Sequence, residues 1–150
     1  MVQPIPYLAF DGTCAEAMRF YAEVLHGTLG IMTNRQSPLA DHCPSEHLNR
    51  VMHARLEFED GTSLYAGDCP PGIPYQGIHS VSIALNYDSV EKARQVFDAL
   101  AEGGTVTMPF SDTFWAKKFG MVKDRFGCHW IVNGEMIDIW PRDAAEGRER

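Results

Sequence analysis

The chain has 150 residues, 45% hydrophobic and 22% charged, a globular balance and not that of a disordered or fibrous protein. A formal charge of −7 without any basic stripe argues against nucleic acid as a partner, because phosphate binding runs on Lys and Arg displacing counterions. No apolar run approaches the roughly 18 residues of a membrane span, and Met1–Tyr7 has neither part of a signal peptide, so no membrane is expected and the expected compartment is cytoplasmic.

Ile5–Phe10 reads as the first strand, and Asp11-Gly12 breaks it. Thr13, with Glu16 three residues on, has the pattern of a capping box. Ala17, Phe20, Tyr21, Val24 and Leu25 then recur at helical spacing, and Gly27 is placed to end the helix. Ser37–Asn49 is a long loop holding Pro38 and Pro44. Two strands, Val51–Glu59 and Thr62–Ala66, flank the hairpin signal Asp60-Gly61. Beyond the Pro-rich stretch from Cys69, Ile78–Leu85 reads as a strand, Asp88 or Ser89 caps a second helix, and Gly103-Gly104 closes it. Met121–Lys123 and Cys128–Val132 close around a turn at Asp124–Gly127.

The second half repeats the first. A shift of 76 positions lays Ala17 on Ala93, Tyr21 on Phe97 and Gly27 on Gly103; a shift of 66 lays Gly61 on Gly127 and Tyr65 on Ile131. The expected fold is therefore α+β, with two strand–helix–strand–strand–strand (βαβββ) modules forming a curled mixed sheet with helices outside. Its expected layout is one domain over 1–150: module one at about 4–68, a linker at 69–76, module two at about 77–133 and an extension at 134–150. The extension alternates apolar and polar residues through Glu135–Trp140, which suits an added strand or a subunit boundary. Cys14, Cys43, Cys69 and Cys128 form no C-x-x-C pair and are expected to be free, with Cys14 at a helix start where its pKa could fall.

Several blocks resemble the vicinal oxygen chelate superfamily, which includes glyoxalase I and bleomycin-resistance proteins, and within it the PhnB-like branch labelled 3-demethylubiquinone-9 3-methyltransferase-like. They are Pro6–Gly12 with Ala15–Tyr21, Met52–Leu56 leading to Asp68, and Phe114-Trp115 followed by Phe119–Gly127, Trp130 and Asn133. The resemblance implies paired modules around a cavity and, in metal-dependent members, four His or Glu ligands on the first and last strands. Those positions fall near Pro6, Tyr65, Val81 and Ile131, none of which is an imidazole or carboxylate. His79, two residues before Val81, is the one nearby candidate for a metal. No firm cofactor follows, a divalent metal is not favoured, and glyoxalase I activity is argued against. No glycine-rich strand-to-helix loop of the doubly wound methyltransferases occurs, so that activity is argued against too.

Candidate chemistry gathers on Val51–Glu59, where His53, Arg55, Glu57 and Glu59 alternate with Met52, Ala54, Leu56 and Phe58. In the curled fold the polar face would line the cavity. There His53 is the candidate acid–base group, or else a structural residue. Arg55 could clamp a carboxylate or phosphonate, or simply pair with Glu57 or Asp68. Asp68, Trp115 and Asn133 complete the candidate ligand contacts, with Trp115 serving equally as a lid or as a dimer anchor. His42, Cys43, Glu46 and His47 crowd the long loop and suit a solvated acidic surface better than a metal site. The expected function is small-molecule binding by a homodimer; the alternatives are a lyase or isomerase using His53, and a drug-sequestering resistance protein.

Overall fold

In the computed structural model, which describes residues 2–141, Leu8 and Phe10 are buried while Tyr7 and Ala9 are exposed. That alternation makes β1 (Tyr7–Phe10) a strand with one face covered. The helix α1 (Cys14–Leu25) buries Cys14, Ala17, Met18 and Tyr21 as one stripe. It lies on β2 (Thr28–Thr33), β3 (Val51–Glu57) and β4 (Ser63–Asp68). In this sheet the order is β1-β4-β3-β2, with β1 parallel to β4 and the other pairs antiparallel.

The same order returns in β5 (Ile83–Tyr87), α2 (Val90–Ala101), β6 (Thr105–Ser111), β7 (Ala116–Lys123) and β8 (His129–Met136), arranged β5-β8-β7-β6. The chain is thus α+β with the two expected modules, each an open four-stranded mixed sheet with its own helix. Contacts group the residues up to Val81, together with Phe126–Cys128, as one compact unit and most of the chain from Ser82 as another. Among the described residues no helix is long and apolar enough to cross a membrane.

Each helix sits close to its sheet. A Cβ on Gly120 of β7 would stand 2.5 Å from the Phe97 ring of α2, so only glycine admits that ring. Trp130 is buried in the second unit and donates its indole N–H to the buried Asp124 carboxylate at 2.8 Å. That bond also fixes the turn entering β8.

Several boundaries differ from the sequence reading. The strand expected over Ile78–Leu85 begins only at Ile83, because Gly77 (φ 80°) and Ser80 (φ 62°) carry left-handed backbone that breaks an extended run. His79 and Val81 therefore precede β5 and do not share a strand face. His26, at φ 59°, ends α1 in place of Gly27, which instead has Leu56 against its Cα. β8 runs on through Met136, and the Ile137 N–H still donates to the Trp115 carbonyl at 2.7 Å, so the extension starts later than 134. Its charged end, 142–150, lies outside the described residues.

The capping box is also replaced. Thr13 makes no side-chain bond to α1. Instead Asp68, at the end of β4, accepts the Gly12 and Cys14 N–H groups on Oδ1 at 2.8 and 3.1 Å, and the Val51 N–H on Oδ2 at 2.8 Å. In the second unit Ser89 caps α2 from within, and Glu135 of β8 accepts the Val90 N–H on Oε2 at 3.2 Å. Asp68→Ala is expected to cost about 2–3 kcal/mol in urea unfolding, since three backbone donors lose a charged acceptor. Thr13→Ala should stay within about 0.5 kcal/mol.

Candidate functional site

Strand alternation places Leu8, Phe10, Ala54, Leu56, Leu64 and Ala66 on the buried face of the first sheet. Tyr7, His53, Arg55 and Tyr65 consequently stand on the other. The register sets Tyr7 opposite Tyr65, and Tyr65 opposite Arg55. The His53 ring meets Tyr65 edge-on at 5.0 Å and stacks with Tyr7 at 5.8 Å, and the two tyrosines lie 6.4 Å apart. Three rings from three strands thus form an aromatic floor, with Tyr7 56% exposed.

A bulge shapes this floor. The β2–β3 pairing skips from Met32–His53 to Thr33–Val51, leaving Met52 without a partner. Its carbonyl accepts the Tyr7 hydroxyl at 3.5 Å, and the same hydroxyl lies 3.4 Å from His53 Nδ1. Both contacts form together only with a proton on Nδ1, which donates to Tyr7; in the neutral imidazole Nε2 is then the acceptor. Gly67 makes the arrangement possible, because a Cβ there would lie 2.9 Å from the Tyr7 oxygen and 3.0 Å from the Met52 carbonyl. Burial raises the Tyr7 phenol pKa, with the Cys14 thiol's charge adding to it, so Tyr7 stays a donor.

Arg55 donates from Nε to Glu57 at 2.8 Å, and both side chains are exposed. Asp68 is spent on backbone N–H groups, as described above. In the second unit Trp115 is half-buried and donates from Nε1 to Asn133 Oδ1 at 3.0 Å, while Asn133 donates from Nδ2 to Asn86 Oδ1 at 2.9 Å. Phe114, T-shaped to Trp115 at 5.0 Å, is the exposed ring of that pair, at 72%. His53 and Arg55 therefore share one face with Tyr7 and Tyr65, and Trp115 and Asn133 meet in the second unit. Tyr7 and Asn86 escaped the sequence reading, because both join their sites through parallel pairing with distant strands.

The donor set at the positions named for a metal does not fit one. Tyr65 faces Tyr7 and Ile131 faces Ala84 in the ladders, offering phenols and aliphatic groups. A divalent zinc wants about three or four imidazole, thiolate or carboxylate donors. Among the described residues no three His, Cys, Asp or Glu side chains form a metal-holding group; His79 bonds the Gln76 carbonyl, and His47 lies against Arg50.

A family model described as 3-demethylubiquinone-9 3-methyltransferase matches residues 3–133. Protein YjdN of Escherichia coli (strain K12) is 31% identical over 138 residues, covering 85% of this chain and 92% of that protein. The crystal structure of protein PA1353 from Pseudomonas aeruginosa is 46% identical with a TM-score of 0.83, over 90% of this chain and 98% of that one. A putative 3-demethylubiquinone-9 3-methyltransferase, PhnB protein, from Bacillus cereus shares the fold at 22% identity and a TM-score of 0.72, over 89% and 99%.

None of the four cysteines forms a disulfide, as their spacing predicts, but Cys14 behaves opposite to expectation. Burial, and then the Asp68 charge, push its thiol up to about 12, outweighing the helix start. Cys14 and Cys128 are buried, whereas Cys43 and Cys69 are partly open. Ellman's reagent at about pH 8 should therefore titrate the latter two in the native protein and all four only after unfolding.

Proposed function

The chain belongs to the 3-demethylubiquinone-9 3-methyltransferase family, the PhnB-like branch of the glyoxalase/bleomycin-resistance superfamily, and from that premise we propose that it binds a small, partly aromatic molecule on the open face of its first sheet. The observation that carries this reading is the Tyr7–His53–Tyr65 floor, with Tyr7 exposed and the other two rings half-buried. Aromatic faces in offset or edge-on contact gain beyond their buried area, so a planar ligand suits them. The Nε2 atom of His53 accepts a hydrogen bond from the ligand. Arg55 receives an anionic group, and its exposed pair with Glu57 is a weak competitor, worth about 0–1 kcal/mol.

Turnover as a lyase or isomerase is the second reading. One observation favours it: the Nδ1 contact with Tyr7 leaves Nε2 free to take a proton. The methyl transfer in the family's name has no support in the described residues, since both sheets are mixed and four-stranded and lack the strand-to-helix glycine loop of the doubly wound methyltransferases. Calorimetric titration with 4-hydroxybenzoate should give saturable binding, weakened about tenfold or more by His53→Ala and by Tyr7→Ala. Equal affinity in all three proteins would overturn the assignment.

We also propose pairing with a second copy through Phe114 and the exposed Met136, Ile137, Ile139 and Trp140. The bond from Ile137 to Trp115 holds these two segments together. Sedimentation should show a dimer that Phe114→Lys converts to monomer; a monomeric parent, or a variant that still pairs, rejects this surface.

A further inference from the structure

The first unit holds a second concavity, distinct from the aromatic floor, with a volume of about 510 Å³. Leu39, Met52, Pro70 and Pro71 give it an apolar wall, and His42 and Cys43 also face it. Leu39 and Met52 are 58% and 38% exposed, so large apolar side chains here stand open to solvent.

Much of the polar capacity of the lining is already used by the scaffold. Asn34 donates from Nδ2 to the His47 carbonyl, and Ser37 donates from Oγ to the Asn34 carbonyl while accepting the Leu39 N–H. Asp68 holds its three backbone donors. What the cavity offers a visitor is thus mainly apolar surface, with the His42 imidazole, the Asn34 side-chain oxygen and the Cys43 thiol, whose proton goes to the Pro44 carbonyl at 3.4 Å.

The wall is also built in advance. Two short 3-10 turns, Ala40–His42 and Ser45–His47, carry the loop. The Asn34 and Arg35 N–H groups bond the Arg50 and Leu48 carbonyls at 3.0 and 2.9 Å, tying its two ends together. Pro70 and Pro71 stiffen the opposite rim. A preformed apolar site spends little of its binding energy on ordering itself, and a volume between roughly 300 and 1,000 Å³ is that of a small-molecule pocket.

We propose that this loop cavity is a second ligand site, which takes an uncharged, mainly aromatic small molecule with a single hydrogen-bonding group directed at His42. A cation would lose hydration without finding a counter-charge, since Asp68 is committed to the backbone, and an anion would find no Lys or Arg in the lining.

N-phenyl-1-naphthylamine, a neutral aromatic amine with one N–H, is the probe. Its fluorescence should rise saturably with one site per chain. At saturation it should slow iodoacetamide alkylation of Cys43 at least about fivefold, followed by peptide mass spectrometry, and leave Cys69 unchanged. Leu39→Glu, on an exposed loop position, should weaken the probe about tenfold or more by placing a charge in the apolar wall. His53→Ala should bind the probe as the parent does, which separates this site from the aromatic floor. Unprotected Cys43, or full affinity in Leu39→Glu, overturns the proposal. Loss of binding in His53→Ala with Cys43 unprotected would assign the probe to the floor.

Discussion

The first unit is organised around one carboxylate. A helix start leaves backbone N–H groups without partners, and in α1 the chain's own Thr13 does not supply the acceptor. Asp68 reaches across from the end of β4 and takes N–H groups from the start of α1 and from the first residue of β3. Three segments, 17 to 56 residues apart in the chain, therefore share one anion. Charge-assisted bonds of this kind are about twice as strong as neutral ones. In the same stroke the bridge sets where α1 begins, where β3 begins and how far β4 extends.

The second unit solves the same problem with a different residue at a displaced position. Glu135 lies 67 places after Asp68, one more than the 66 that aligns the hairpins. Its backbone is left-handed, at φ 59°, while the β7–β8 register runs unbroken on either side of it. Lys117 bonds its other carboxylate oxygen, and that bond, followed by the Val90 N–H, holds the Glu135 carboxyl below its ordinary pKa. A lowered pKa means the bridge is present above the usual Glu range and is lost as acid protonates the folded state. The two modules, alike in strand order, thus each keep a carboxylate from the last strand on the helix start.

With the helix faces closed by these bridges, chemistry is left to the surfaces that the bridges do not use. On the first sheet the Met52 bulge and Gly67 bring Tyr7 and His53 within hydrogen-bond reach, and the aromatic floor is their product. The long loop makes a different kind of surface, apolar and preformed, whose lining includes none of the three floor rings and meets the floor at Met52. The two ligands proposed for these surfaces differ accordingly: a ring carrying an acceptor for Arg55 or a donor for His53 on the floor, and a neutral molecule in the loop cavity.

Local chemistry determined much of this protein in the sequence alone. Ala17, Tyr21, Ala93 and Phe97 recur at helical spacing and are buried in their helices; the Asp60-Gly61 turn forms with Thr62 bonded back to Asp60; and the two-module α+β order follows from turns and periodicity. These signals act over a few residues, so a linear reading captures them. His53 and Arg55 were assigned to a common strand face for the same reason, since alternation is local. What only the tertiary structure decided depends on partners far apart in the chain. Examples are the handing of the α1 cap from Thr13 to Asp68, the rise of the Cys14 thiol to about 12 through burial, the joining of Tyr7 to His53, and the emptying of His79 from the β5 face by left-handed backbone at Gly77 and Ser80. Register and burial are properties of the assembled sheet, and no window of sequence contains both sides of a ladder.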